Sequence, residues 1–218
     1  MVSPLTYIYD NYSKGAWIRK LHRIYVNSPV SVRWHFGIDC PPKDVLALYD
    51  ITTLLLKWHL KPLLKENPGW RVLEIGVGPF ALLSGHLSRY TNLPIDALDI
   101  RKDLVESALQ TQQLNGLDNV KIFESDLFSN VPDDASYDLM FWNLPYYADP
   151  EVYLAGLFDQ APRHLAQGGT MVLGYNSKPL PRGRVLEILQ RYPGLRLEDV
   201  RTYPWNMHEL LTIARADG

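Results

Sequence analysis

Apolar and polar positions alternate in a regular way over the last two thirds of the chain. From residue 70 onward, short apolar runs of strand length are followed by stretches in which apolar residues recur at helical spacing. This alternation predicts a mostly parallel sheet with helices on both faces. The predicted strands are 71–75, 95–99, 120–124, 137–142 and 170–174, and the predicted helices are 81–90, 102–115, 150–165 and 183–190. Two further strands, 195–203 and 209–214, are expected to pair as an antiparallel hairpin.

The first 69 residues follow a different pattern, because they are rich in Tyr and Trp and carry no strand–helix alternation. Residues 29–39 have an extended pattern, whereas the apolar spacing after Asp44 predicts a helix that starts near that residue. We therefore divide the chain into a helical, aromatic-rich segment, 1–69, and a sheet domain, 70–218. The first segment is expected to act as a lid or substrate segment over the ligand cleft, with Trp34 and Phe36 among its aromatic residues.

A glycine-rich turn follows the first predicted strand. The sequence there is Glu74-x-Gly76-x-Gly78, and glycine allows unusual backbone angles and close approach of a ligand to the main chain. An acidic residue, Asp99, ends the next strand at the spacing typical of nucleotide-type cofactor sites. Its two carboxylate oxygens can accept hydrogen bonds from both hydroxyls of a ribose. Glu74 can hold the backbone of the turn or, through water, an amino group of the ligand.

Two more polar motifs fall at successive strand ends, where an open α/β sheet places its ligand. They are Ser125-Asp126-Leu127-Phe128 and Asn143-Leu144-Pro145-Tyr146. With the glycine turn, they give the chain a resemblance to the class I S-adenosylmethionine (SAM) dependent methyltransferases, which covers residues 70–175 best. The resemblance implies a Rossmann-like sheet that binds SAM.

The same resemblance assigns cofactor roles to individual residues. Asp99 matches the acid that holds the ribose, and Asp126 matches the residue that accepts from the adenine amine. Ile100 and Leu127, next to these acids, are predicted to contact the cofactor, as are Glu74, Gly76, Gly78 and Asn143. The chain departs from the family where Phe80 replaces a frequent third glycine and where Leu144 replaces a proline.

The motif at Asn143 is similar to the Asn-x-Pro-Tyr motif of enzymes that methylate planar or amide nitrogens. A nitrogen nucleophile must direct its hydrogens at acceptors to free its lone pair, and alignment is the main task of a methyltransferase. The side-chain carbonyl of Asn143 and the backbone carbonyl of Leu144 can supply two acceptors. Tyr146 or Tyr147 offers an aromatic face to a flat substrate or to the sulfonium. Tyr175, after the fifth strand, is expected to face the same cleft.

The amino-acid composition bears on which classes of partner are expected. The net charge of −2 leaves no surplus of Lys and Arg to neutralise phosphates, so nucleic acid is judged an unlikely substrate. We see neither a signal peptide nor a membrane span, and the single cysteine, Cys40, fits a cytoplasmic location. His, Asp and Glu show no metal-ligand spacing, so no metal site is expected.

These observations lead to a predicted SAM-dependent methyltransferase that acts on a nitrogen of a small molecule. The alternative is a cyclase on the same fold, similar to azetidine-2-carboxylate synthases, in which SAM alone is the substrate and its own amine is the nucleophile. A fold does not fix a reaction, so both stay open at this point. A non-catalytic SAM-binding or nucleic-acid-binding module is the third possibility. The oligomeric state is not indicated.

Overall fold

The computed structural model describes residue 21 and residues 24–26, 28–41, 49–145, 149–203 and 207–216. The helices that we number are α1 (Pro29–Phe36), α2 (Ile51–Glu66), α3 (Leu82–Leu87), α4 (Lys102–Asn115), α5 (Pro150–His164) and α6 (Arg182–Leu189). A 3₁₀ turn, Ser88–Tyr90, extends α3. The strands are β1 (Val72–Ile75), β2 (Ile95–Asp99), β3 (Val120–Glu124), β4 (Tyr137–Asn143), β5 (Leu165–Asn176), β6 (Leu195–Thr202) and β7 (His208–Arg215).

The strands form one seven-stranded sheet in the order β3-β2-β1-β4-β5-β7-β6. The first five run parallel, whereas β7 is antiparallel to both β5 and β6. The predicted fold class is therefore confirmed: a Rossmann-like, mostly parallel sheet with a C-terminal antiparallel hairpin. The strand order reverses between β1 and β4, and ligands of such sheets bind at the carboxyl ends of the strands near this point.

Two apolar cores cover the two faces of the sheet. Alternate residues of β4 point to opposite faces, so Leu139 and Phe141 join one core while Met140 and Trp142 join the other. Helices α1 to α4 cover the first face, and helices α5 and α6 cover the second. Because α2 shares the first core with the sheet, it is part of the same folding unit.

The prediction of an extended segment at 29–39 is wrong, since Pro29–Phe36 is a helix. Proline stands in its first turn, and Gly37 ends it with a positive φ of 69°. The helix buries Val32 and Phe36, which are four residues apart. Cations from other elements hold its last carbonyls: Lys57 Nζ donates to His35 O at 2.8 Å, and Arg89 donates to Phe36 O and Gly37 O.

The helix expected after Asp44 begins at Ile51, and Asp44 itself lies outside the described residues. Asp50 is the N-cap, and its side chain accepts from Thr53 N at 2.9 Å while Thr53 Oγ1 accepts from Asp50 N. This reciprocal capping box defines the start of α2.

The aromatic residues proposed for the lid are placed differently from one another. Phe36 is fully buried in the core beneath α1, so it does not cover a cleft, whereas Trp34 is 83% exposed. The lid role of the remaining N-terminal residues, and the boundary at residue 69, stay predictions.

Candidate active site at the carboxyl edge of the sheet

The turn after β1 closes onto the end of β2 through backbone groups. Val77 N donates to Leu98 O at 2.8 Å, and Gly78 N donates to the Asp99 carboxylate at 3.1 Å. Gly76 and Gly78 both have positive φ, at 70° and 64°. Their surroundings differ, because none of the described residues lies within 4 Å of a Cβ built on Gly78, whereas one built on Gly76 would lie 2.6 Å from Trp142 Nε1. Gly78 therefore leaves room for a ligand beside the main chain, and Gly76 allows the indole to pack closely.

Asp99 sits at the end of β2 with only 7% of its surface exposed. One carboxylate oxygen accepts from Gly78 N, and the other accepts from Arg101 N at 3.0 Å. Burial raises the pKa of this carboxyl above its ordinary value. Each oxygen keeps a second lone pair, so the geometry supports the predicted pair of hydrogen bonds to a ribose.

Glu74 acts inside the protein. It is buried in β1, and its carboxylate accepts from Ser84 N, in the first turn of α3, at 2.9 Å. Burial raises the pKa of Glu74 to about 8. The carboxylate thus ties β1 to the first turn of α3, whereas the two roles considered from the sequence, holding the backbone of the glycine turn or an amino group of the ligand, stay predictions.

The loop after β3 is tied to the end of β2 by a hydrogen bond from Ser125 N to Asp99 O at 2.9 Å. Asp126 is exposed there, and its backbone N–H donates to Ser129 Oγ at 3.1 Å. Leu127 has a positive φ of 47°, which is uncommon for a residue with a side chain. Ile100 is 60% exposed beside Asp99. This exposed apolar side chain and the exposed acid flank the position predicted for adenine.

Asn143 ends β4, and its side chain is held by α2. Its Nδ2 donates to Asp50 Oδ1 and to Thr53 Oγ1, both at 3.2 Å. The amide orientation follows from chemistry, since a carboxylate can only accept a hydrogen bond. The other end of the amide, Asn143 Oδ1, is buried and has no partner among the described residues. A buried acceptor without a donor is costly, and it marks a place where a ligand can donate.

The residues after Asn143 are partly fixed by the core. Leu144 is 2% exposed, and its N–H donates to Gly174 O at 2.8 Å, a bond that a proline at this position could not make. Tyr153 of α5 donates its hydroxyl to Pro145 O at 2.8 Å. Tyr146 and Tyr147 lie outside the described residues.

Tyr175 was expected to face the cleft, and the structure places it in the core instead. It is 1% exposed, and its hydroxyl donates to Glu209 at 2.8 Å. Arg182 binds the same carboxylate through two nitrogens. The alternation along β5 explains the error, since Tyr175 points to the face that α5 and α6 cover.

Three residues of the site were missed from the sequence. Asp50 and Thr53 could have been found from the N-cap pattern of an Asp followed three residues later by Thr. Gly174 gave no signal, because its role is spatial: a Cβ there would lie 2.6 Å from Thr52 Cγ2 in α2.

Within the described ranges, no cluster of three or more His, Cys, Asp or Glu side chains could hold a metal ion. None of the helices described is both long enough and apolar enough to cross a membrane. The cytoplasmic location stays a prediction.

Comparison with known proteins gives relatives that match part of this chain. A release factor glutamine methyltransferase from Fusobacterium nucleatum is 29% identical over 119 residues, which are 54% of this chain and 34% of the relative. A putative protein N5-glutamine methyltransferase from Methanocaldococcus jannaschii is 34% identical over 128 residues, covering 55% of this chain and 60% of the relative. The matched part thus spans between one third and three fifths of these relatives.

Solved structures share the fold. A methyltransferase from Pyrococcus furiosus superposes with a TM-score of 0.70 at 22% identity, covering 89% of this chain and 96% of that one. The 16S rRNA N2 G1207 methyltransferase of T. thermophilus, solved with AdoMet and guanosine, gives a TM-score of 0.60 at 21% identity, covering 78% of this chain and 44% of that one.

These comparisons overturn the predicted partners. The expectation of a small molecule or SAM alone as substrate, with nucleic acid unlikely, is wrong. The names of the two relatives describe methylation of a glutamine in a protein, and the fold is shared with an rRNA methyltransferase. Composition misled here, because a near-neutral net charge does not describe the local surface that a macromolecule contacts.

The cofactor prediction is confirmed: the cofactor is SAM. The residues present fit it, with open space among the described residues at Gly78 and a buried carboxylate with free lone pairs at Asp99. The methyltransferase small domain family matches residues 47–191, which include the carboxyl ends of β1 to β5. The chain therefore belongs to the methyltransferase small domain family, and its enzyme class is that of the class I SAM-dependent methyltransferases.

Proposed function

We propose that this chain methylates the side-chain amide nitrogen of a glutamine in a protein substrate. The observation that carries the proposal is the buried Oδ1 of Asn143 at the end of β4, which has no hydrogen-bond partner within the described parts of the chain. An acceptor in this place suits a nucleophile that carries hydrogens, and a primary amide nitrogen carries two. The names of the two relatives, at 29% and 34% identity, support glutamine as the source of that amide.

One group of site residues would bind the cofactor, and another would orient the acceptor. Gly78 and Asp99 would hold the methionine and ribose parts of SAM, while Ile100, Asp126 and Leu127 would surround the adenine. Bound SAM supplies a methyl group on a positively charged sulfur, which leaves as a thioether. Asn143 and Leu144 would orient the acceptor nitrogen toward that methyl group.

The acceptor nitrogen needs help from the protein because the lone pair of an amide is delocalised into its carbonyl. Hydrogen bonds from the amide N–H groups to Asn143 Oδ1 and to the Leu144 carbonyl would favour the form in which the lone pair is available. The nitrogen then forms a bond to the methyl carbon, the carbon–sulfur bond breaks, and a proton is lost from nitrogen to solvent. Alignment of this kind accounts for several orders of magnitude in rate.

The test uses the full chain with SAM and an unmethylated bacterial release factor as the probe. We expect formation of S-adenosylhomocysteine together with the mass of one methyl group on a glutamine, located by fragmentation mass spectrometry. A matched release factor in which that glutamine is replaced by asparagine is the control, because its amide is one carbon shorter.

Two outcomes would overturn the proposal. Methyl groups found on 16S rRNA but not on the release factor would favour an RNA nitrogen as the acceptor. Methylthioadenosine formed from SAM without any acceptor would point to a reaction of SAM with itself.

A further inference from the structure

We propose that Asp50 is a positioning residue for the reaction: it clamps the amide of Asn143 so that Oδ1 faces the acceptor. This inference rests on the proposed function, because it explains how the residue that receives the acceptor nitrogen is held. The juxtaposition joins residues 93 positions apart in the sequence. Asp50 is not part of the glycine turn, of the Asp99 region or of the Asn143 motif.

The clamp selects one of two amide orientations. The two ends of an asparagine amide have almost the same shape, so packing alone discriminates poorly between them. Asp50 Oδ1 can only accept, so it attracts Nδ2 and turns the carbonyl oxygen of Asn143 away from α2. A bond to an ionised acceptor is stronger than one between neutral groups, which makes a carboxylate better suited to this task than a hydroxyl.

The clamp is itself held in place by the start of α2. Asp50 Oδ1 also accepts from Thr53 N at 2.9 Å and from Thr53 Oγ1 at 2.8 Å, so its rotamer is fixed by the capping box. Thr53 Oγ1 gives Asn143 Nδ2 its second acceptor. Asp50 Oδ1 and Thr53 Oγ1 lie only 2.8 Å apart, so both draw the nitrogen end of the amide toward the start of α2, and its oxygen has no partner among the described residues.

Two further contacts hold the start of α2 against the sheet. Gly174 pairs with Asn143 in the register of β4 and β5, and its missing Cβ lets Thr52 and Leu56 approach the strand. Thr52 Oγ1 lies 2.6 Å from Nδ1 of His208 in β7. The first turn of α2 thus contacts β4, β5 and β7, which fixes the distance between Asp50 and Asn143.

Capping and clamping can be separated by the choice of variant. Asp50→Ser keeps a good N-cap acceptor for Thr53 N, but its side chain is too short to reach Asn143. Asp50→Asn keeps both functions, because its carbonyl can accept from Thr53 N and from Asn143. In both variants α2 stays capped, but only Asp50→Asn keeps the hydrogen bond to the Asn143 amide.

The first readout is independent of turnover. In ¹⁵N-labelled full chain, the side-chain NH₂ signals of Asn143 are identified as the pair lost in Asn143→Ala. We expect Asp50→Ser to move these signals to the position of exposed asparagines and to speed their exchange with water, while helix α2 remains folded. Asp50→Asn should leave them close to their original position.

The second readout is kinetic, with the release factor as the probe. Asp50→Ser should lower kcat about tenfold or more while the Kd for SAM changes less than about threefold, because only alignment of the acceptor is lost. Asp50→Asn should retain most of kcat.

Unchanged Asn143 signals in Asp50→Ser would overturn the clamp. So would an equal effect of both Asp50 variants on kcat, or a loss of SAM binding that matches the loss of turnover. Failure of the proposed function would give a different result, because the original protein would then methylate no glutamine. The NMR comparison would still determine the orientation of the Asn143 amide.

Discussion

The two halves of the carboxyl edge are built in different ways. On the cofactor side, at the ends of β1 to β3, backbone N–H groups make the main contacts, as in the bond from Gly78 N to the carboxylate of Asp99, 21 positions away in the sequence. On the acceptor side, at the ends of β4 and β5, a side chain is held by side chains of a distant helix, through Asp50 and Thr53. The cofactor side thus joins the ends of strands that follow one another in the chain, whereas the acceptor side joins residues 93 positions apart.

This difference has a functional consequence. A cofactor site made of backbone groups tolerates many changes in the rest of the chain, since the turn carries its own geometry. An acceptor site made of side chains can be retuned by substitutions in α2 without touching SAM. Related enzymes of one fold can in this way share a cofactor and differ in substrate.

The largest effect that separates the halves is expected for Asn143→Ala. Turnover should fall by about two orders of magnitude or more, because the acceptor nitrogen loses its main aligning group, while SAM affinity stays within a few fold. Single-turnover kinetics and calorimetry with SAM provide the two numbers. Equal losses in both would assign Asn143 to the cofactor side and remove the distinction.

The corresponding variant on the cofactor side is Asp99→Ala, which should weaken SAM binding by more than about tenfold. Two hydrogen bonds to a charged acceptor are lost, each worth about 1.5–3 kcal/mol. Asp103→Ala is the control, because its carboxylate is exposed and pairs only locally with Arg101. Calorimetry should give the control a nearly unchanged affinity, and the same result for Asp99→Ala would refute the ribose assignment.

Gly174→Ala tests whether close packing of α2 maintains the acceptor side. The new methyl group would lie 2.6 Å from Thr52 Cγ2, so we expect a loss of about 1–3 kcal/mol in the free energy of unfolding. Turnover should fall more than SAM affinity, because α2 moves away from Asn143. Gly183→Ala is the matched control, since no atom of the described ranges lies within 4 Å of a Cβ built there. Urea unfolding and calorimetry on both variants make the comparison, and a harmless Gly174→Ala would contradict the packing argument.

Glu74→Gln gives the smallest effect and concerns the support of the cofactor side. The pKa of Glu74 is raised to about 8, so the folded protein keeps a proton that the unfolded chain releases, and stability falls as pH rises toward 8. The buried His59 and His86, with pKa values lowered to about 4, act in the opposite direction below about pH 6.5.

The informative window for this variant is therefore pH 6.5 to 8. Over it, the original protein should lose about 2 kcal/mol in the free energy of unfolding, and Glu74→Gln should lose less, as measured by urea titrations at each pH. The same slope in both proteins would show that Glu74 is already ionised in the folded state.

The contrast between the halves also explains what the sequence could predict. The glycine turn, Asp99 and the mostly parallel sheet with its C-terminal hairpin follow from local motifs and hydrophobic periodicity, and these were predicted. The role of Gly174 and the link from Asp50 to Asn143 join residues far apart in sequence, so only tertiary structure reveals them. Tyr175 was misplaced because the last residues of a strand point alternately to the two faces, and the motif does not say which. The helix at Pro29–Phe36 was missed because its β-branched valines favour a strand pattern.

A double-mutant cycle between Asp50 and Asn143 tests the central claim most directly. Asn143→Asp places two carboxylates together, so it should lose stability and turnover. Adding Asp50→Asn removes one of the two facing charges. Because the same atom, Asp50 Oδ1, accepts from Thr53 N and from Asn143, the introduced amide can turn its nitrogen into that position and donate to the carboxylate at position 143, at the expense of the bond to Thr53 N. We predict that the swapped pair recovers much of both losses, with a coupling of about 1–3 kcal/mol in the free energy of unfolding. Losses that simply add would mean that α2 does not hold Asn143, and the account of the acceptor side would be wrong.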